Sequence, residues 1–136
     1  MNRAELQEWM VQKAEGLVRG LKEAAEKEAA KSGVRKILDV GKTQTSKAIE
    51  VAQAAASPLL FINWLRYQAA RERERDKFWS QSLPNGKLLA EAIAADVNEI
   101  KGKSSPEELM KNVALYLGYF RRALIGLEYL DKIRDP

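Results

Sequence analysis

Residues 57–79 read SPLLFINWLRYQAARERERDKFW, and their pattern decides the fold class. Ser57 followed by Pro58 is a helix start. The serine hydroxyl accepts a bond from an orphan N–H, and proline has no N–H to leave unpaired at the first helical position. At 3.6 residues per turn, Leu60, Trp64 and Tyr67 form one stripe, Phe61 and Leu65 a second, and Ile62 and Ala69 a third. A helix this apolar needs neighbours on several sides. The following RERERDK is too costly to desolvate, so the pattern predicts one helix running from the core out into water. Arg71 extends the Leu60 stripe at i+4 from Tyr67. Its stem leaves the apolar surface and its guanidinium reaches for an anion or a carboxylate.

Outward from this stretch, the 136 residues suit one domain with a modest core. Cysteine and histidine are both absent. Their absence removes disulfides, thiol nucleophiles, zinc sites with nitrogen or sulfur ligands and the usual neutral-pH proton shuttle. No metal, cofactor or catalytic residue is assigned, because the carboxylates form no recognisable pair and most alternate with Lys or Arg. No apolar run approaches the roughly 18 residues of a membrane span, and the N-terminus is amphipathic and Glu-rich, unlike a signal peptide. The chain therefore reads as soluble and cytoplasmic, with no membrane partner. A formal charge of +4 is compatible with touching a polyanion but is low for a free-standing nucleic-acid binder.

From about Arg3 to Lys31, Leu6, Trp9, Met10, Leu17 and Leu21 recur at helical spacing, and Ser32-Gly33 ends the helix. Trp9 and the leucines suit core packing better than a membrane-lying helix, since the polar residues between them mix acids and bases. Val34, Ile37 and Leu38 suggest a short helical connector up to Gly41. The segment Gly41-Lys42-Thr43 is not a phosphate loop: the required earlier glycine is Lys36, and no strand precedes it. Thr43-Gln44-Thr45-Ser46 supplies N-cap candidates for a short alanine-rich helix. With Lys42 and Lys47 nearby, the same helix start suits a phosphate.

Leu83-Pro84-Asn85-Gly86 is a turn. Leu89, Ile93, Val97 and Ile100 mark a one-faced helix closed by Gly102. Ser105-Pro106-Glu107-Glu108 reads as a capping box opening a last helix toward Ile133, roughly 40 Å long. Its inner stripe is Leu109, Val113, Tyr116, Leu117, Phe120, Leu124 and Leu127. The opposite face mixes Leu115, Gly118, Arg122, Ile125, Gly126, Tyr129 and Ile133 where a solvated helix would be polar. It suits either a second internal contact or a partner surface. The fold class is all-α: a compact bundle of five or six helices with a long C-terminal helix. The single domain spans 1–136, with 1–41 an N-terminal helix and short connector and 42–136 the helical core.

Three segments carry a resemblance: Gln44-Thr45-Ser46-Lys47, then Arg66-Tyr67-Gln68-Ala69-Ala70-Arg71-Glu72, then Glu99-Ile100-Lys101 before a helix with Tyr119-Phe120-Arg121-Arg122-Ala123-Leu124-Ile125. In order and spacing they resemble the small helical subunit of type III-A, or Csm-type, CRISPR interference complexes. That family has a TTSK helix start, a mid-chain Y-Q-A-G-R segment and an aromatic-rich last helix. The resemblance covers roughly Lys42 to Leu130. Ile49 stands where an arginine often follows the TTSK start, Ala70 replaces the motif glycine, and Asp131-Lys132-Ile133-Arg134 replaces a glycine-rich end.

The resemblance implies a non-catalytic protein of antiviral defence. Copies stack as a filament beside the backbone and large subunits, line the groove holding the guide RNA–target RNA duplex and help hold target RNA. The RNA contacts it implies are Lys42, Thr45, Ser46, Lys47, Arg66, Gln68 and Arg71. Subunit contact falls to Leu115, Gly118, Arg122 and Tyr129, on the face already marked for a neighbour. The small subunit of Cmr-type complexes is the second resemblance. Two other classes stay open: a helical oligomeric adaptor, and an enzyme using Arg66, Gln68 and Arg71 to bind a small anion in a closed pocket.

Overall fold

The computed structural model describes residues 1–27 and 31–136, with 31 and 32 in their backbone only. Five α-helices are described: α1 (Arg3–Lys27), α2 (Lys31–Ala54), α3 (Pro58–Arg71), α4 (Leu89–Lys103) and α5 (Leu109–Ile125). Short 3-10 turns follow α3 at Glu74–Asp76 and α5 at Leu127–Tyr129. The all-α expectation holds, since the one extended pairing among the described residues is an isolated antiparallel bridge, Ser82 to Leu88.

Periodicity places the core. In α1 the buried residues are Leu6, Met10, Ala14, Val18, Leu21 and Ala25, a single stripe at i+3 and i+4. Trp9 packs half-buried beside it, with Lys13 and Lys103 Nζ 5.5 and 5.3 Å from the ring centroid. The inner stripe of α5 buries Val113, Tyr116, Leu117, Phe120 and Leu124 between α1 and α2. Helix α2 runs opposite to α5, with Gly41 beside Leu124 and the Arg121 Nε donating to the Lys42 carbonyl. Helix α4 buries Leu89, Ile93, Val97 and Ile100, as their spacing predicts, and closes α3 from the side. The turn at Leu83–Gly86 is also as predicted. Gly86 N–H donates to the Leu83 carbonyl at 2.9 Å, and a φ of +85° makes glycine the residue of choice there.

Several local expectations are corrected. The helix opening at Ser57 is present, with Ser57 Oγ accepting from Leu60 N–H at 3.4 Å, but it ends at Arg71 rather than Trp79. A straight continuation would carry Phe78 and Trp79 into water, whereas both are fully buried. The break is held by Glu72. Its carboxylate accepts the backbone N–H groups of Phe78 (3.1 Å), Trp79 (2.9 Å) and Ser80 (2.8 Å) and the Ser80 hydroxyl (2.6 Å). The stripes of α3 are also reassigned. Phe61 and Leu65 face the core, while Leu60 and Tyr67 are 55 % and 62 % exposed.

Next, α2 is one continuous helix, so Gly41 neither ends a connector nor do Thr43–Ser46 cap a new helix. Glycine at 41 is a close-approach residue: a Cβ there would run into Leu124 and Phe78. The predicted boundary between residues 41 and 42 falls inside this helix. Ser32-Gly33 also belongs to α2 rather than to the end of α1, whose predicted last residues 28–30 lie outside the described residues. At the start of α5, Ser105 offers its carbonyl to Glu108 N–H in a tight turn and makes no capping box. Ser104 accepts from the buried Asn112 side chain instead. Finally, α5 stops at Ile125, not Ile133. Gly126 is a poor helix former, and the chain tightens there while keeping Leu127 buried.

Tyr116 on α5 donates a 2.6 Å hydrogen bond to Asp96 on α4, and both are buried. Burial pushes the Asp96 carboxyl above its ordinary value of 3.8, against the opposing pulls of the Tyr116 bond and Lys13. Burial and the neighbouring Asp96 push the Tyr116 hydroxyl up as well. A carboxyl with a raised folded-state pKa contributes stability below its unfolded pKa and loses it as pH rises through the folded value. Asp96→Asn keeps an acceptor for Tyr116 and cannot ionise. Urea unfolding at pH 3 and pH 7 is expected to show the variant gaining on the wild type as pH rises. A gap that is flat or moves the other way would remove this account of the pair.

Candidate nucleic-acid interface

After the short loop at 55–57, α3 doubles back along α2, so its C-terminal turn lies beside the middle of α2. Lys42, Thr43, Ser46, Lys47 and Glu50 recur at i+3 and i+4 on one face of α2. Gln68 and Arg71 approach from α3 and Arg121 from α5, and together with Gln44 these residues line an open groove of about 590 Å³. Four cations, Lys42, Lys47, Arg71 and Arg121, face one acid, Glu50. Among the described residues none of the four makes an ion pair. Their charge is therefore left for an external anion, and the exposed Lys42, Lys47 and Arg71 are screened by salt.

Three contacts shape the groove. Arg121 Nε donates to the Lys42 carbonyl at 3.4 Å, which ties α5 to the wall formed by α2. Trp79 Nε1 donates to Gln44 Oε1 at 3.2 Å, which links the groove to the loop held by Glu72. Arg71 sits with Cζ 5.6 Å from the Tyr67 ring centroid. These cations reach an anion with side chains alone. The start of α2 is at Lys31, so the N–H groups near Thr43–Ser46 are spent inside the helix and offer no helix-terminus phosphate site.

Of the residues singled out from sequence, Lys42, Ser46, Lys47, Gln68 and Arg71 come together in this groove. Thr45 does not: it is fully buried, and its hydroxyl donates back to the Gly41 carbonyl at 2.6 Å. Its assignment as an RNA contact is corrected to an internal helix bond. Arg66 is exposed on α3 but does not line the groove. Arg66, Gln68 and Arg71 therefore do not converge on a closed pocket. Thr43, Gln44, Glu50 and Arg121 were missed as groove residues. Reading α2 as one helix would have found Glu50, at i+3 and i+4 from Lys47 and Ser46. Arg121 stands 50 residues or more from the others in sequence and needed the packing of α5 on α2.

The outer face of α5 divides between two clefts along its seam with α1. Leu115 and Gly118 line one of about 530 Å³ with Arg3 and Gln7. Arg122 and Tyr129 line the next, of about 360 Å³, with Val11 and Glu15. A Cβ at Gly118 would meet no atom within 4 Å, so no internal neighbour accounts for that glycine. Ile125, Tyr129 and Ile133 are 47 %, 54 % and 74 % exposed. No described helix is long and apolar enough to cross a membrane. No family model matches the chain, and no curated protein or solved structure matches it.

Proposed function

We propose that this chain is a non-catalytic RNA-binding subunit that works inside a larger assembly, holding RNA in the groove between α2 and α3. The observation that supports it most is the convergence of Lys42, Lys47, Arg71 and Arg121 on one open surface with no ion pair to any of them among the described residues. An extended polyanion suits such a surface better than a small ligand does, because an open groove excludes little water and leaves a small ligand half-solvated. The resemblance of the α2, α3 and α5 motifs to the small subunit of type III-A CRISPR complexes narrows the proposal to target RNA beside a guide RNA. The exposed outer face of α5, with Leu115, Gly118, Arg122 and Tyr129, is the proposed contact with further copies or flanking subunits. Few cations per copy imply weak binding alone and stronger binding when copies line up along one strand.

The proposal is tested by tagging the chain in its native cell, purifying at moderate salt and identifying the RNA and proteins retained. Repeat–spacer RNA with a set of larger subunits is expected. A chain recovered alone and RNA-free while a CRISPR locus is expressed would end the CRISPR reading. With the purified chain, Lys47→Ala combined with Arg71→Ala is expected to flatten the dependence of log affinity on log salt by about 1 to 2, the share of two phosphate contacts. An unchanged slope would place the RNA elsewhere.

A further inference from the structure

We infer that the outer face of α3 beside the groove is a stacking platform for unpaired bases, with Tyr67 as its principal ring and single-stranded RNA as its ligand. The inference rests on the RNA-binding reading of the groove above, not on the narrower guide–target pairing, and specifies that the RNA held there is unpaired at Tyr67.

Its basis is the stripe that sequence periodicity assigns to the core and the structure leaves outside. Leu60 and Tyr67 are 55 % and 62 % exposed, and no described helix covers them. Trp64, between them, is half-buried against Phe61 and Trp79 and anchors the stripe to the core. Tyr67 is thus a large, mostly exposed ring held on a rigid helix, with Arg71 over one face and the rest open to a flat partner. Two neighbours on the same helix connect it to the groove. Gln68, the next residue, and Arg71, one turn on, both line the groove, and the Arg71 guanidinium lies over the Tyr67 ring. One turn of helix is about 5.4 Å, so a strand with its phosphates at Arg71 and Lys47 carries its bases past Tyr67.

An aromatic ring beside a cationic track is the arrangement that suits a single strand. The cations neutralise phosphates, and the ring stacks on any base without reading its hydrogen-bonding edge. In a duplex the base faces are occupied by their own neighbours and offer Tyr67 nothing. The platform therefore discriminates strandedness rather than sequence.

The test uses the 136-residue chain at low salt, with labelled twelve-nucleotide oligouridine and oligoadenine and an RNA duplex of the same length, read by fluorescence anisotropy. Tyr67→Ala is expected to weaken binding of both single strands about tenfold while leaving the duplex and the salt dependence unchanged. Tyr67→Phe is expected to bind like the wild type. Because Tyr67 is exposed, thermal unfolding of both variants should match the wild type. If Lys47→Ala weakens binding and Tyr67→Ala does not, the groove stands and the platform is wrong. If the wild-type chain binds no RNA at all, both fall. If Tyr67→Ala leaves RNA binding intact but converts a dimer to a monomer in sedimentation, the stripe is a protein contact and the inference is overturned.

Discussion

Glu72→Ala is expected to lower the stability of this protein by about 3 kcal/mol, the largest effect of any single surface-reachable carboxylate in it. One side chain accepts four hydrogen bonds, from Phe78, Trp79 and Ser80 N–H and from the Ser80 hydroxyl. Alanine leaves three backbone donors at the entrance of a buried aromatic pair without their charged acceptor. Water recovers part of the loss, so the four bonds do not add. The midpoint of thermal unfolding should fall by about 10 °C, and the near-ultraviolet circular dichroism of the aromatic side chains should weaken before the helices melt. Glu72→Gln should recover less than half, because its amide NH2 faces N–H donors where an oxygen is needed. A change below about 0.5 kcal/mol would mean that the break after Arg71 is held by Phe78 and Trp79 burial alone.

Gly41 carries the second large effect. A Cβ at this position would overlap the end of Leu124 and come within 2.9 Å of Phe78 Cε1, and both neighbours are fully buried. Gly41→Val is expected to destabilise by about 3 kcal/mol, combining overpacking with β-branched crowding in a helix. Gly41→Ala should also destabilise, by about 1 kcal/mol, although alanine is the better helix former by a similar amount. The control lies in α5. A Cβ at Gly118 meets nothing within 4 Å, so Gly118→Ala should stabilise the isolated chain by up to about 1 kcal/mol. Two mid-helix glycines with opposite signs separate a packing requirement from a propensity cost. If both substitutions stabilise, the close approach of α2 to α5 and Phe78 at Gly41 is wrong.

Much of the fold was legible because α1, α4 and α5 each bury a single stripe, and a period of 3.6 residues needs no tertiary knowledge. The continuity of α2 was not legible. Gly41 and Thr43–Ser46 are local stop and start signals, and they were overridden by a non-local cause, the packing of Leu124 and Phe78 onto the bare backbone of residue 41. The end of α3 was hidden for the converse reason. RERERDK is good helix sequence, and nothing local breaks it; the break comes from aromatic residues further on that must reach the core. The same limit governs the groove. Lys42, Ser46, Lys47, Gln68 and Arg71 could be nominated from charge and motif, but Thr45 was misplaced because its facing depends on α2 being one helix. Arg121 joined only through the α2 and α5 contact.

The break after Arg71 also bears on the proposed function. It ends α3 at the groove, so Arg71 stands at the mouth instead of mid-helix, and it brings Trp79 under α2 to hold Gln44. Stability and binding are thereby linked through Glu72: a variant that loosens the 78–80 loop should lose RNA affinity as well as melting temperature.

The most direct measurement is to irradiate the natively assembled, RNA-bound protein with ultraviolet light and locate the crosslinked nucleotides by mass spectrometry. Adducts concentrated on the peptides holding Gln44–Lys47 and Tyr67–Arg71 are the predicted result. Adducts confined to the α1 and α5 seam, around Tyr119 and Tyr129, with the groove peptides unmodified, would contradict the account and move the RNA to that seam.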